Sequence, residues 1–198
     1  MVLGFPPSAP GLAPGWRASP SRVIAAVCAL WAMVGVAQAA EPDPATPVKA
    51  GYLYKLTPFV DWPVTAFEGP TSPFRLCIAG RDPFGGVVDH AAHGAKVGEH
   101  RVVVVRMPAV AKGAAACHML FLAASTTQTP QQMLALVTGQ PVLTVADEAL
   151  EAPGAMVQFV TVEGRVRFEI RADAAQAAGL SVSSKLLSLA AQPKEGGR

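Results

Sequence analysis

The residues able to do chemistry are few and scattered. His90 and His93 stand three apart beside Asp89, on what would be one helix face, and His100 is the next histidine along. A metal ion needs three or four ligands. The group therefore reads as a solvated helix face, and no metal is assigned. "SVSSK", Ser181 to Lys185, has the ingredients of a serine–lysine nucleophile without its spacing, because Val182 stands three before Lys185. Ser181 or Ser183 reads instead as the cap of a last helix. "GRDPFGG", Gly80 to Gly86, sits between a strand and a helix, where phosphate loops occur. It lacks the Lys–Ser/Thr of a P-loop and the spacing of a dinucleotide fingerprint, so it reads as a connector. There is no G-x-S-x-G, no H-E-x-x-H and no carboxylate pair with a reason for shifted acidity. The chain argues against an enzyme and for a binding or regulatory module. No catalytic residue and no cofactor are assigned.

Sulfur is the remaining chemistry, and its meaning depends on the compartment. Residues 1–22 carry Arg17 and Arg22 and no acid, then "VIAAVCALWAMVGV" runs fourteen apolar residues from Val23 to Val36, followed by "AQAA". A basic start, an apolar run of that length and an A-x-A site make a secretory signal peptide, residues 1–39, cleaved after Ala39 or one residue later. The run is shorter than the roughly 20 residues a spanning helix needs, and no later run is longer. Cys28 leaves with the leader, so Cys77 and Cys117 remain, an even pair in an exported chain that reads as one disulfide. By loop entropy such a bond is worth about 4 kcal/mol. His118 follows Cys117 and could tune its sulfur, although a satisfied strand-edge histidine is the commoner case. The mature chain keeps 14 basic and 14 acidic residues, hence no net charge. A neutral domain argues against nucleic acid as a partner.

The elements that must hold these residues follow from periodicity and punctuation. Residues 40–47 are a polar, proline-rich tail, and residues 48–191 are the domain. "VKAGYLYKLTPFVDWP" opens it, with Val48, Tyr52, Leu56 and Phe59 at helical spacing. That stripe is expected to pack on the sheet, with a kink or end near Pro58 and a stop at Trp62–Pro63. Tyr54, Lys55 and Trp62 fall off the stripe or beyond it and are the candidate contact surface for a partner protein. "FRLCIAG" is a strand, and Asp82 with Pro83 reads as cap and first residue of the next helix. "RVVVVRM", Arg101 to Met107, has no alternation and reads as a strand covered on both faces. "CHMLFLA" and "PVLTVAD" are further strands, separated by a helix from Thr129 to Val137 with Thr129 as cap and Pro130 at its start. "AMVQFVTVEGRVRFEIR" reads as a hairpin turning at Glu163–Gly164, with Val166, Phe168 and Ile170 inward. Two helical segments, "ADAAQAAGL" and "SVSSKLLSLAAQ", close the domain, and residues 192–198 are expected to be disordered. Strands alternating with helices make an α/β single domain. A central, mostly parallel sheet of about six strands should carry a C-terminal β-hairpin and helices on both faces.

In this order, "VKAGYLYKLTPFVDWP", "FRLCIAGRDPFG", "CHMLFLA", "VLTVAD", "GAMVQFV", "VRFEI" and "AGLSVSSKLLSLA" resemble the YfiR family of exported proteins over residues 47–191. The resemblance implies a periplasmic brake. It would bind the periplasmic sensor domain of an inner-membrane diguanylate cyclase and hold it inactive, keeping cyclic-di-GMP low. It also implies an outer-membrane lipoprotein that sequesters the brake, a homodimer, and sensitivity to redox state through cysteines. Members occur beside sensor kinases too. Cys77 and Cys117 match one family disulfide, and a second family pair has no counterpart in residues 146–156. Arg171 stands where the family often has Asn after "FEI". The alternative reading is a periplasmic small-ligand-binding module, because strand ends carrying Gly80–Gly86 and Asp147 lie where open α/β sheets hold ligands.

Overall fold

A computed structural model describes residues 43–111 and 116–191, together with Gly4. The chain divides into two units, Met1–Glu41 and Pro42–Arg198, and the helices and strands named here belong to the second. The expected signal peptide and the C-terminal residues 192–198 lie outside the described residues.

The first helix, α1, spans Thr46–Lys55 and takes in Thr46 and Pro47, which the sequence assigned to the tail. Proline near a helix start loses no internal hydrogen bond, so the tail ends sooner than its composition suggests. A single 3-10 turn, Thr57–Phe59, follows, and the chain then extends as β1, Val60–Asp61. The helix thus ends before Pro58, and Trp62–Pro63 lies beyond a strand and does not stop it. The expected stripe is the inward one except at its first residue. Ala50, Leu53 and Leu56 are buried, Tyr52 and Phe59 are partly buried against the same cluster, and Val48 is 48% exposed. The stripe packs on the core from Tyr52 onward, through Leu56 and across the 3-10 turn to Phe59, while Val48 in the first turn of α1 stays outside it.

The central sheet is built from β2 (Phe74–Ala79), β3 (Lys96–Val97), β4 (His100–Met107), β5 (Met119–Leu122), β6 (Leu143–Asp147), β7 (Val157–Val162) and β8 (Arg165–Ile170). Among the described residues it has seven strands in the order β3-β4-β2-β5-β6-β7-β8. The five inner strands are parallel, and the edge strands β3 and β8 pair antiparallel. β1 pairs separately with β9, Ser181–Val182, with Val60 opposite Val182. The strand total exceeds the expected six because β3 is a two-residue edge without a pattern of its own. The hairpin is as expected, with Glu163 at φ 50° and Gly164 at φ 70° in its two-residue turn.

Alternation along each strand divides the core. Leu76 and Ile78 of β2 join one buried cluster with Leu53 of α1, Val88 of α2 (Gly86–Ala92), Ala175 of α4 (Ala172–Ala177) and Leu186 of α5 (Ser184–Leu189). Cys77 and Ala79 join the other, with Met133 and Val137 of α3, Pro130–Val137. Helices therefore cover both faces, as the alternating pattern demands. α3 begins as expected, with a capping box in which Thr129 accepts from the Gln132 amide and Gln132 from the Thr129 amide. Ser183 caps α5 by accepting from the Leu186 amide.

Two expectations on the β2–β4 side are corrected. α2 starts at Gly86, not Pro83. The Asp82 carboxylate folds back on the Phe84 amide at 2.7 Å and takes the Arg106 guanidinium at 2.7 Å, so it closes a turn and does not cap a helix. β4 is not covered on both faces, since Val102 is buried while Val103, Val104 and Val105 are only partly so. It is second from the edge and has only the two residues of β3 beyond it.

Candidate functional site

Two regions bring chemistry-bearing residues together. The first lies where α1 runs into β1. Lys55 is exposed, with its ammonium 5.9 Å from the Tyr54 ring centre, and Tyr54 is half-buried. Trp62 is half-buried as well, and its indole is tied inward. Its Nε1–H donates to the His118 carbonyl at 3.0 Å and its ring meets Phe74 edge-on at 4.9 Å. Tyr54 and Lys55 stand at the end of α1, whereas Trp62 belongs to the segment that pins β1 against the sheet.

Behind Trp62 lies a stack of rings. His118 is 2% exposed, just ahead of β5. Its Nδ1 accepts from the Arg75 amide at 3.0 Å, which leaves Nε2 to donate to the Ala66 carbonyl at 3.1 Å. Both nitrogens are satisfied only in the neutral ring. Burial pushes the imidazole below its ordinary value, and the nearby charges of Arg75 and His100 act in the same direction. Phe67 lies between His118 and His100, with ring centres 4.5 and 3.7 Å away. His118 is a satisfied interior histidine. Its neighbour Cys117 is bonded to Cys77, with Cα atoms 5.8 Å apart and both residues buried.

The second region is a cleft of about 690 Å³ at the carboxyl ends of β2, β5 and β6. Strand order makes it a topological switch point. The chain leaves β2 for β4 on one side, then crosses back to β5 on the other. The closeness of the two strand ends requires Gly80, whose φ is +98° and whose absent Cβ would lie 2.6 Å from the Ala123 carbonyl oxygen. Phe84, Phe121, Val87 and Leu150 supply apolar wall. Lys49 reaches in from α1 to the Asp147 carboxylate at 2.5 Å, with Asp43 at 3.6 Å. Burial opposes the charge on Lys49, but these carboxylates outweigh it and leave the ammonium above its ordinary value. Arg81 lines the cleft and a smaller neighbouring one of about 320 Å³.

The sequence pointed to the Gly80–Gly86 and Asp147 strand ends, and the structure brings them into one cleft. It gave no sign of Lys49 there, because nothing local ties α1 to the end of β6. His90 and His93, read from the sequence as a solvated helix face, are exposed. Among the described residues no group of three or more His, Cys, Asp and Glu could hold a metal ion. None of the described helices is long and apolar enough to cross a membrane.

The model of a family described as YfiR/HmsC-like matches residues 46–191. That span runs from the first residue of α1 to the last described residue. No curated protein matches the chain.

Proposed function

Since this chain belongs to the YfiR/HmsC-like family, whose members are periplasmic regulators acting with membrane signalling proteins, we propose that it is exported and inhibits one such protein. The partner of choice is the periplasmic sensor domain of an inner-membrane diguanylate cyclase, held inactive so that cyclic-di-GMP stays low. A sensor kinase is the other partner class. The observation that carries this reading is the match across the whole described domain, 46–191. The absence of a catalytic motif in the sequence agrees with it.

The contact surface in this reading is the end of α1, Tyr54 and Lys55, with Trp62 beside it. Lys55 supports this role, being exposed and without an ion-pair partner among the described residues. An outer-membrane lipoprotein that removes the inhibitor, and a homodimeric state, complete the proposal. The test is a pull-down of membrane sensor proteins of the same cell with the mature protein, alongside cyclic-di-GMP measured in a deletion strain. Complex formation and a rise in cyclic-di-GMP on deletion are expected. Recovery of no membrane sensor, with cyclic-di-GMP unchanged, rejects the reading.

A further inference from the structure

Residues 64–73 cross from the end of β1 to the start of β2 without joining the sheet. None of them is buried. Their amides bond only within the segment or just before it, Ala66 to the Pro63 carbonyl, Phe67 to Val64 and Ser72 to Gly69. Side chains from elsewhere tie the segment down. The His118 Nε2–H donates to the Ala66 carbonyl at 3.1 Å, and the His100 Nδ1–H donates to the Ser72 carbonyl at 2.7 Å. Phe67 is stacked between the two imidazoles. The remaining polar tie, Arg75 to Glu68, is an ion pair with an exposed carboxylate and contributes little.

A proton acts differently on the two histidines. His100 makes its bond as a donor, and a proton on its other nitrogen leaves that bond in place. His118 uses both nitrogens, with Nδ1 accepting from the Arg75 amide at 3.0 Å. A proton there sets two N–H groups against each other. The Arg75 backbone is held, because β2 is paired with β4 on one side and the Arg75 carbonyl takes the His118 amide at 2.9 Å on the other. The ring must turn, which withdraws Nε2 from Ala66 and the ring face from Phe67.

We propose that residues 64–73 form an acid-released strap, freed by protonation of His118 while the sheet stays folded. Burial opposes a charge on the ring most strongly, and Arg75 from β2 and His100 from β4 oppose it too, whereas the Ala66 carbonyl and Glu68 of the strap favour one. The closed form therefore resists the proton, the open form takes it, and acid draws the strap open. Both ends are fixed, since Trp62 stays bonded to the His118 carbonyl and Phe74 begins β2. The inference goes beyond the inhibitory reading and holds whatever the partner. Acidity around the protein would reshape the surface next to Trp62.

The test is hydrogen exchange on the purified mature protein, followed amide by amide by NMR from pH 7.5 to pH 4.5 and corrected for intrinsic exchange. Protection of Ala66, Phe67 and Ser72 should fall about tenfold or more over that range, while the amides of β5 and β6 keep theirs. His118→Gln, whose side-chain amide can both accept from Arg75 and donate to Ala66, should keep the strap closed throughout. His100→Gln should still open with acid. Strap amides that hold their protection at pH 4.5 overturn the proposal, and so do strap amides that lose it only together with β5 and β6. Both outcomes are read on the unaltered protein. Acid-induced opening that survives in His118→Gln overturns it as well.

Discussion

The indole of Trp62 donates to the carbonyl of His118 at 3.0 Å, across 56 positions of sequence. This one bond ties the segment after α1 to the strand that follows Cys117. It makes Trp62 a fastening as much as a surface residue, and the two roles separate experimentally. Trp62→Phe keeps an aromatic ring against Phe74 and loses the hydrogen bond, and should cost about 0.5–1.5 kcal/mol in urea unfolding, because the His118 carbonyl keeps the Leu143 amide at 2.9 Å. Trp62→Ala should cost about 3–5 kcal/mol. If the Phe variant folds and loses the partner, Trp62 is in the interface. Retained binding confines it to the fold.

His118 sets a pH dependence. Its folded-state value lies below the ordinary histidine value near 6.5, so the unfolded chain binds the extra proton first. The stabilising contribution is complete above about pH 6.5 and declines as pH falls toward the folded-state value. Urea midpoints measured from pH 8 to pH 5 should fall over the acid half. Besides the pairing amide of Arg75, the groups facing the ring are the Arg75 side chain, Glu68 and His100. His118→Gln should be less stable at pH 8 and flatter below pH 6.5. An unchanged slope in that variant would exclude His118 as the source of the effect.

The Cys77–Cys117 bond closes a 40-residue separation between two buried sulfurs. Cys77→Ala with Cys117→Ala should lower stability by about 4 kcal/mol by the loop-entropy argument. Because both sulfurs are inaccessible, reductant should act on the native protein only after it opens. The reduction rate should therefore rise steeply with urea. Rapid thiol release in buffer alone would contradict the burial.

Gly80 is the backbone requirement of the cleft. Alanine there takes a left-handed conformation at about 1–3 kcal/mol and drives its Cβ into two carbonyl oxygens, 2.6 and 2.7 Å away. Gly80→Ala should therefore destabilise the domain by more than Gly139→Ala, which has a φ of +73° and open space around its added carbon. Paired thermal melts compare the two directly, and equal losses would show that the contact with β5 relaxes.

Local signals were legible where one short segment decides its own structure. Thr129–Pro130 wrote the start of α3 and Glu163–Gly164 the hairpin, and of the two serines offered as the last cap Ser183 is the one that serves. The same grammar failed at Asp82–Pro83, since Arg106, far along the chain, competes for the carboxylate that would have capped a helix. In α1 it held for Tyr52, Leu56 and Phe59, which pack on the core, and missed only Val48, which stays exposed in the first turn. In the cleft, the strand ends could be read from alternation, whereas the Lys49–Asp147 pair depends on how a distant helix packs.

That pair also bears on where the polypeptide can be handled. Asp43 touches Lys49 and forms part of the cleft wall, while Ala191 at the other end of the domain donates its amide to the Phe168 carbonyl on β8. An affinity tag or fluorophore joined ahead of Asp43 would start at the lip of the cleft and compete with whatever enters it. One joined behind Ala191 starts beside the hairpin, so the carboxyl end is the better place for a label in every binding measurement described above.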